Sequence, residues 1–463
     1  MHVEQLYTNC LAQATYYIES EGEAAIIDPL RDTDAYVLKA QERGVKIKYI
    51  LETHFHADFV SGHLDLAAKT GAQIVYGPGA STEYKKYEAK DGEVLTLGKL
   101  TIEVLHTPGH TPESSCYLLK DEEGKDYCLF SGDTLFVGDV GRPDLLDGKM
   151  TKEELASMMY DSLNNKIKPL EDSIILYPAH GPGSSCGKNL GPETYSTIGA
   201  QKATNYAMQD MSREEFIAQV TDGITAPPKY FFEDARLNKA GYQSLEEVIR
   251  AGQKPLSLND FSELRDAGIQ VVDVRIPDEF EMGFIPGSMN IGLNGQYAIW
   301  AGTLLNVHDP LVLVCPEGKE EEAVTRLARV GFDSIKGYLH GGFNSWKEAG
   351  NEIDMVISIT PEELQLDYKH SDITVLDVRK PGEWDTCHLE NAVFGSLQDL
   401  EKTMEELDKD QTYYVHCAGG YRSMIACSMM KAKGFDKVKN VYGGWSKIKE
   451  LDLPKVMPAK QTA

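Results

Sequence analysis

The sequence predicts an α/β protein built from several domains. Its 463 residues are enough for two to four domains, each with a core of its own. Short apolar strands are interleaved with helical stretches, and in the second half this alternation indicates parallel sheets covered by helices. That half also contains an internal repeat, because Asp-Val-Arg at 273–275 recurs at 377–379 and Cys315 recurs as Cys417. We therefore expect one α/β domain followed by two related ones.

Composition and charge narrow the class of protein. Hydrophobic residues make up 42% and charged residues 25%, as in ordinary globular proteins. The net charge of −26 argues against nucleic acid or an anionic membrane as a partner, because both attract basic surfaces. No apolar run long enough to span a membrane, no signal-peptide pattern in residues 1–17 and no CxxC pair is visible. We expect a cytoplasmic homo-oligomer with free thiols and no membrane association.

Before residue 200, apolar runs predict strands and the patterns between them predict helices. The predicted strands are 24–27, 49–52, 73–76, 101–105 and 174–177, and the predicted helices include 34–43 and 152–164. Residues 225–234 (TAPPKYFFED) contain two prolines and break any regular period. This segment is either a linker or, because of its aromatic residues, a segment clamped against a neighbouring domain.

The two repeated units begin in the same way. Ser257 has Asp260 three residues later, and Thr360 has Glu363 three residues later, so each pair predicts a capped helix. Apolar strands follow at 270–274, 311–314, 373–378 and 413–416. We expect two α/β units of about 100 residues each, which is a normal domain size.

Four loops, each directly after a strand, carry histidine or aspartate. They read Thr-His54-Phe-His56-Ala-Asp58, Thr-Pro-Gly-His110-Thr, Ser-Gly-Asp133-Thr and Pro-Ala-His180-Gly. Imidazole and carboxylate groups suit a borderline divalent metal, and strand-end loops converge at the rim of a sheet. An isolated buried histidine is more often hydrogen-bonded to the backbone, and we assign that structural role to His63 and His106. The four loops in series instead predict a metal site.

In this order, the motifs H-x-H-x-D, T-P-G-H-T, G-D-T and P-A-H-G resemble the metallo-β-lactamase fold. The resemblance implies an αβ/βα sandwich with the metal at one edge of its two sheets. Most hydrolases of this fold use H-x-H-x-D-H and hold two metals. Here Phe59 follows Asp58, so an apolar ring stands where the second-metal histidine would be. We therefore expect one metal per chain.

Within that fold, residues 136–144 (FVGDVGRPD) resemble the persulfide dioxygenase branch. The resemblance implies a mononuclear Fe(II), one per chain, held by His54, His110 and Asp133. Two histidines and one carboxylate leave coordination positions open for substrate sulfur and O₂. Three further motif residues would orient ligands or be remnants of a second metal site, namely His56, Asp58 and His180.

Two residues near these motifs are possible substrate contacts. The family comparison suggests that Arg142 lies near an anionic persulfide of glutathione, coenzyme A or a similar thiol. The alternative for this cation is an ion pair with Asp139, Asp144 or Asp147. Tyr177, just before the fourth motif, is the second possible contact.

The other predicted site is a cysteine loop near the C-terminus. It reads Cys417-Ala418-Gly419-Gly420-Tyr421-Arg422-Ser423 and precedes a helix expected from Met424. Loop N–H groups, the helix dipole and the Arg422 charge favour a thiolate or a persulfide anion. The loop resembles the C-x-x-G-x-R-S of rhodanese sulfurtransferases, in which the cysteine accepts a sulfane sulfur and passes it on. The resemblance makes Cys417 and Arg422 the expected catalytic residues.

The first copy keeps the repeated signature but has a different loop. Glu320 and Glu321 stand where the second copy has arginine and serine. Carboxylates at these positions oppose a thiolate at Cys315 and repel sulfite, and Pro316 removes one N–H group. We predict a degenerate, scaffolding copy; a second sulfur site is the alternative.

The order of these parts resembles the multidomain persulfide dioxygenase–sulfurtransferase fusions of bacteria. The expected fold is a metallo-β-lactamase sandwich over 1–245, then two rhodanese-like α/β domains with parallel sheets over 246–353 and 354–463. The implied chemistry is oxidation of a small persulfide to sulfite with O₂, then transfer of sulfane sulfur through Cys417 to sulfite, giving thiosulfate. The main alternative is a thioester hydrolase of the glyoxalase II kind, in which the metal activates water. A non-enzymatic sulfur carrier or sensor is a further alternative.

Overall fold

The computed structural model describes residues 1–145, 150–188, 190–224 and 226–457. They form two compact units. The first contains residues 1–248 together with 325–333, and the second contains 249–324 and the chain from 334 onward. All eight cysteines are free thiols. Among the described residues, none of the helices has both the length and the apolar surface that crossing a bilayer requires.

Two six-stranded sheets form the centre of the first unit. In spatial order, the first sheet contains β1 (His2–Thr8), β2 (Gln13–Ser20), β3 (Glu23–Ile27), β4 (Lys46–Glu52), β5 (Gln73–Tyr76) and β6 (Tyr87–Glu88). Strands β1 to β3 pair antiparallel, and β3 to β6 pair parallel. The second sheet contains β12 (Ser196–Thr197), β11 (Ile175–Pro178), β10 (Asp126–Gly132), β9 (Ser115–Lys120), β8 (Leu100–His106) and β7 (Val94–Leu97). It is antiparallel except for the parallel pair β10–β11.

Helices connect these strands or follow the last of them in the chain. They are α1 (Asp34–Arg43), α2 (His63–Thr70), α3 (Lys152–Ser162), α4 (Ile198–Thr204), α5 (Arg213–Thr221), α6 (Tyr230–Ala240) and α7 (Leu245–Gly252). Thr151 begins α3 with a capping box, because its side chain accepts from the N–H of Glu154 while the Glu154 carboxylate accepts from the N–H of Thr151. Ser212 and Glu215 begin α5 in the same way.

The layers of this unit can be seen from where neighbouring residues of one strand pack. Ile27 and Phe130 belong to the apolar core between the two sheets. Their neighbours Ile26 and Leu129 point to the opposite faces, because successive strand side chains alternate. Ile26 packs in the core that includes residues of α1 and α2, and Leu129 packs in the core that includes residues of α3 and α5. The unit is therefore the predicted αβ/βα sandwich.

The second unit contains two five-stranded parallel sheets with equivalent strand order. The first sheet contains β13 (Pro255–Leu256), β17 (Ile335–Leu339), β16 (Leu311–Val314), β14 (Gln270–Asp273) and β15 (Met289–Asn290). The second contains β18 (Ile357–Ile359), β23 (Val438–Val441), β22 (Tyr413–His416), β19 (Thr374–Asp377) and β21 (Val393–Phe394). Two further short strands, β20 (His388–Leu389) and β24 (Lys455–Val456), pair antiparallel and form a separate two-stranded sheet. The sequence repeat is therefore a structural repeat.

The helices of this unit repeat as well. In the first copy they are α8 (Leu258–Asp266), α9 (Pro277–Glu281), α10 (Tyr297–Leu304), α11 (Glu320–Ala328) and α12 (Gly342–Glu348). In the second they are α13 (Pro361–His370), α14 (Pro381–Thr386), α15 (Leu400–Met404), α16 (Tyr421–Ala432) and α17 (Gly444–Ile448). Ser257 caps α8 and Thr360 caps α13, as the sequence predicts.

Three differences from the predicted boundaries concern helices and the segments beside them. The helix predicted over 152–164 ends at Ser162 and continues as a π-helical turn, Leu163–Ile167. The segment 225–234 is irregular only up to its prolines, since α6 begins at Tyr230; residue 225 itself lies outside the described residues. The helix expected from Met424 begins at Tyr421, because Gly420 takes a left-handed φ of 110° and serves as its N-cap. The predicted fold class is confirmed.

Candidate metal centre and candidate thiol site

All four predicted metal loops meet at one edge of the sandwich. The loops follow β4, β8, β10 and β11. Strands β8 and β10 both pair antiparallel with β9, and β11 pairs parallel with β10, so the ends of these three strands lie at the same edge of their sheet. The loop after β4 reaches this edge from the first sheet. Six predicted residues are buried there: His54, His56, Asp58, His110, Asp133 and His180.

Three of these residues form a candidate ligand set. His54, His110 and Asp133 place one ligand atom each within 4.8 Å of one another. The His54 Nε2 lies 3.8 Å from an Asp133 carboxylate oxygen, and the His110 Nε2 lies 3.3 Å from the same oxygen. His54 Nε2 and both Asp133 oxygens are buried without a hydrogen-bond partner. Because such atoms are costly to leave unpaired, the set fits a bound divalent cation.

Hydrogen bonds behind the two histidines fix which nitrogen faces the site. The His110 Nδ1 lies 2.8 Å from the Arg142 carbonyl oxygen, which can only accept, so Nδ1 carries the proton and Nε2 keeps its lone pair. The Thr53 hydroxyl donates to Asp28 at 2.8 Å, so its oxygen accepts from the His54 Nδ1 at 3.0 Å. Burial, and then the neighbouring histidines, hold the pKa of His54 well below its ordinary value. Both imidazoles therefore turn Nε2 towards the site.

The remaining three residues form a second group beside the first. His56, Asp58 and His180 also place ligand atoms within 4.8 Å of one another. The His180 Nε2 lies 3.4 Å from Asp58 and 3.6 Å from Asp133. The His56 Nε2 instead lies 3.1 Å from Asp28, which is buried. Burial alone would lower the pKa of His56, but the Asp28 carboxylate outweighs it and raises that pKa to about 9.

Phe59 lies against the second group. Its side chain is fully buried, and its ring centroid lies 4.3 Å from that of His56. The backbone carbonyls of His56 and Phe59 both accept from the Asn238 amide, each at 2.8 Å. An apolar ring therefore occupies the position next to Asp58, and the loop around it is held in place from α6.

Two residues at this edge were missed by the sequence reasoning. The Cys186 thiol lies within 4.8 Å of the ligand atoms of Asp133 and His180, and burial raises its pKa well above the ordinary value. No pattern singled out this cysteine, although its position six residues after His180 was a weak signal. Asn238 clamps the metal loop, because its amide also accepts from the Ser61 N–H at 2.8 Å. Nothing in its sequence neighbourhood identified that role.

The two possible substrate contacts have partners of their own. Arg142 is only 6% exposed, and its guanidinium forms a two-bond ion pair with Asp144 at 2.7 and 2.8 Å. Asp147, another partner considered, lies outside the described residues. The Tyr177 ring stacks on Phe130 at 5.6 Å, at the margin of the core between the sheets. A substrate role for either residue stays a prediction.

Cys417 lies at the predicted strand–loop–helix junction of the second unit. Its side chain is buried, and its sulfur accepts from the Gly420 N–H at 3.1 Å. Its S–H group points towards the Ser423 hydroxyl at 3.6 Å. The other two residues of this part of the loop, Ala418 and Gly419, lie between Cys417 and Gly420 in the sequence. An N–H group at the sulfur favours a negatively charged thiol derivative.

Arg422 forms an ion pair with an acidic residue. Its guanidinium donates to both oxygens of Glu383, at 2.6 and 2.9 Å. Burial lowers the pKa of Arg422, but the Glu383 contact outweighs it, and Cys417 also contributes to a raised value. The Arg422 cation therefore lies close enough to Cys417 to interact with it electrostatically, but its guanidinium is already paired with the Glu383 carboxylate.

The equivalent cysteine of the first copy has the opposite environment. Burial raises the pKa of Cys315 far above its ordinary value, and the Glu320 carboxylate raises it further. The thiol is therefore protonated and a poor nucleophile.

Comparisons with known proteins show which families the chain is similar to. The Metallo-beta-lactamase superfamily matches residues 8–183, and the Rhodanese-like domain matches 257–349 and 360–451. The solved structure of a metallo-beta-lactamase from Staphylococcus aureus subsp. aureus COL is 34% identical, with a TM-score of 0.65, and the match covers 73% of this chain and 98% of that one. The mitochondrial persulfide dioxygenase ETHE1 of Bos taurus is 30% identical over 44% of this chain and 73% of its own.

A hydrolase is similar to a comparable degree. The probable hydroxyacylglutathione hydrolase glo2 of Schizosaccharomyces pombe is 32% identical over 34% of this chain, which spans 58% of that relative's length. Fold and ligand set together define a metallo-β-lactamase-fold enzyme followed by rhodanese-like domains. More particularly, the chain belongs to the metallo-β-lactamase superfamily, is homologous to the ETHE1 persulfide dioxygenases, and carries two rhodanese-like domains fused behind that part.

Proposed function

We propose that this chain is a persulfide dioxygenase coupled to a sulfurtransferase. The first reaction is RSSH + O₂ + H₂O → RSH + SO₃²⁻ + 2 H⁺, where RSSH is a persulfide of glutathione, coenzyme A or a similar thiol. The observation that carries the proposal is the buried set of His54, His110 and Asp133. Their ligand atoms converge, and His54 Nε2 and both Asp133 oxygens have no hydrogen-bond partner. Homology to ETHE1 supports the same reaction class.

We propose one Fe(II) per chain at this set. When bound, Fe(II) would supply the redox chemistry of oxygen and offer open coordination positions to persulfide sulfur and O₂. Thr53 and the Arg142 carbonyl hold the two histidines with Nε2 towards the site. Burial of the set excludes bulk water, and His180 and Asp58 offer polar groups next to it.

The second reaction is assigned to Cys417. Its thiolate attacks the outer sulfur of a second persulfide, so that Cys–S⁻ + RSSH → Cys–S–S⁻ + RSH. Sulfite then takes that sulfur, Cys–S–S⁻ + SO₃²⁻ → Cys–S⁻ + S₂O₃²⁻, and the thiolate is restored. The Gly420 N–H, 3.1 Å from the sulfur, stabilises the anion in both states, and Arg422 adds positive potential nearby.

The proposed domain boundaries remain 1–245, 246–353 and 354–463. The family matches at 8–183, 257–349 and 360–451 fall inside them and support this division. We propose a scaffolding role for the middle domain, because its cysteine is buried beside Glu320.

A thioester hydrolase is the second candidate function. It is favoured by the similarity to hydroxyacylglutathione hydrolase glo2 and by the ligand-like group of His56, Asp58 and His180. Against it stands the buried Phe59 ring beside that group. A two-metal hydrolase needs a further ligand at that position.

Metal analysis beside an oxygen electrode decides between the two. We expect one iron per chain and O₂ uptake that depends on glutathione persulfide. His110→Ala and Asp133→Ala should lose both iron and O₂ uptake, whereas sulfur transfer at Cys417 should persist. His106→Ala is the matched control, because its ring nitrogen bonds the Pro112 carbonyl at 2.9 Å and belongs to neither ligand group. Two zincs per chain and cleavage of S-lactoylglutathione would instead establish the hydrolase.

Phe59→His tests the second metal position directly. It completes H-x-H-x-D-H, so zinc stoichiometry should rise towards two and persulfide-dependent O₂ uptake should fall. Unchanged stoichiometry would mean that another feature closes the position, and the argument from Phe59 against the hydrolase would lapse.

A further inference from the structure

We propose that the first rhodanese-like domain holds the Cys417 loop in its working position, and that Tyr421 is the positioning residue through which it does so. The inference rests on the proposed role of Cys417 in sulfur transfer. It gives the degenerate copy a function that needs no chemistry at Cys315.

The contact joins the active loop to the other copy. The Tyr421 hydroxyl donates to the Gly292 carbonyl oxygen of the first copy at 2.7 Å. A side chain at Gly295 would overlap the Tyr421 ring, so glycine permits this close approach. A residue of the predicted thiol loop is therefore seated against the backbone of the first copy.

Tyr421 is next to the group that touches the sulfur. Gly420, whose N–H lies 3.1 Å from the Cys417 sulfur, precedes it directly. Gly420 is also the N-cap of α16, and Tyr421 is the first residue of that helix. Any shift of Tyr421 therefore moves the N–H donor relative to the sulfur.

The helix behind the loop is also shared by the two copies. Every residue of α16 from Ser423 to Met430 is buried. On one side the Ser423 hydroxyl donates to Asn440 of its own sheet at 2.7 Å. On the other side the Ser428 hydroxyl accepts from the Asn290 N–H of the first copy at 3.0 Å. A helix that is buried all round needs two partners, and the first copy is one of them.

The loop of the first copy carries a different residue at this position. Lys319 occupies the position of Tyr421, and its ammonium group pairs with Glu322 at 2.9 Å on an exposed surface. The asymmetry matches the chemistry, since only the second loop carries the thiol environment expected of a sulfur carrier.

Tyr421→Phe tests the proposal, because it keeps the ring and removes only the hydroxyl. Transfer of sulfur from thiosulfate to cyanide by the full chain should fall in kcat by roughly 2- to 10-fold, the effect of one neutral hydrogen bond, with KM nearly unchanged. The pH profile of Cys417 alkylation by iodoacetamide, followed by mass spectrometry of its peptide, should shift to higher pH. The substitution leaves the charged and titratable groups around the loop unchanged, so they cannot cause the shift. These groups are Asp377, Arg379, Glu383, His416 and Arg422.

Tyr368→Phe is the matched control. Its hydroxyl also donates to a backbone carbonyl, that of Glu390 at 2.5 Å, in the same copy but on α13. It should lose a comparable hydrogen bond without changing kcat or the alkylation profile.

Gly295→Ala approaches the same contact from the first copy. Its new methyl group must displace the Tyr421 ring, so it should shift the alkylation profile in the same direction. The effects of Gly295→Ala and Tyr421→Phe should not add, because both act on one contact.

Four outcomes separate the possibilities. An unchanged kcat and alkylation profile in Tyr421→Phe would overturn the positioning role, as would equal losses in Tyr368→Phe. Additive effects of the two contact variants would also overturn it. A parent protein that transfers no sulfur would refute the proposed function instead, and the alkylation profile would still report whether Tyr421 positions the loop.

Discussion

The two rhodanese-like domains share a framework and differ in one loop. In the first, Arg275 donates to both oxygens of Asp273 and to the Gly283 carbonyl, and its guanidinium lies 4.2 Å from the Phe343 ring. In the second, an equivalent arginine makes the same contacts. The residues are Arg379, Asp377, Cys387 and Trp445, and the last distance is again 4.2 Å.

The backbone carbonyl groups of the two cysteines also have the same neighbour, a glycine. Gly342 faces the Cys315 carbonyl and Gly444 faces the Cys417 carbonyl, both with left-handed φ, and a side chain at either would overlap that oxygen. The repeated Gly-Gly pair is thus a packing requirement of the fold. The loops after the two cysteines differ. In the first copy Glu320 lies near a buried, protonated thiol, whereas in the second copy the sulfur faces an N–H donor. The two domains therefore share their framework although the surroundings of their thiols differ.

The largest expected difference between the domains is in product formation. Cys417→Ser replaces the sulfur nucleophile with a hydroxyl that cannot carry sulfane sulfur, so thiosulfate should disappear and sulfite should accumulate. O₂ uptake should continue, because the metal ligands are unchanged. Cys315→Ser should leave the product ratio as in the parent. Product chromatography after thiol derivatisation measures both; thiosulfate that survives without Cys417 and disappears without Cys315 would exchange the two assignments.

The shared framework should respond equally in both domains. Asp377→Ala and Asp273→Ala each leave a buried arginine without its partner, so each domain should lose about 3–5 kcal/mol of unfolding free energy. Hydrogen exchange with mass spectrometry reports each domain's peptides separately. A large loss in one domain and none in the other would show that the framework is not equivalent.

The first helix of each domain provides a smaller test. Thr360 forms a complete capping box with Glu363, whereas Ser257 accepts from the Asp260 N–H without the return bond. Thr360→Ala and Ser257→Ala should each lower the unfolding free energy by about 1 kcal/mol, with the larger loss at Thr360. The same exchange measurement on the α13 and α8 peptides checks the order.

The smallest expected effect is on the thiol of the first domain. Glu320→Gln removes a negative charge near Cys315, so the pKa of that thiol should fall, because the thiolate is no longer repelled. The pKa should remain above its ordinary value, since burial is the larger cause. Alkylation of the Cys315 peptide against pH follows the change. A fall to the ordinary value would mean that the carboxylate, not burial, silences the first copy.

Local patterns were sufficient wherever a residue acts with its sequence neighbours. The caps at Ser257 and Thr360 depend on contacts three residues away, and both are found where predicted. The convergence of the four metal loops follows from strand direction, because loops after similarly directed strands meet at one edge. The π-helical turn after Ser162 and the early start of α16 depended on details of backbone geometry that residue types do not specify.

By itself, the sequence determined the fold class, the repeat, the residues at the metal edge and the contrast between the two cysteine loops, because short-range spacing and residue chemistry carry all of these. Only the tertiary structure decided which distant groups complete them. Asn238 reaches the metal loop from α6, Cys186 comes beside Asp133, and Tyr421 reaches the backbone of the other copy. Most of these contacts join segments far apart in the chain, and their partners are chosen by how helices and sheets pack, which no local spacing records.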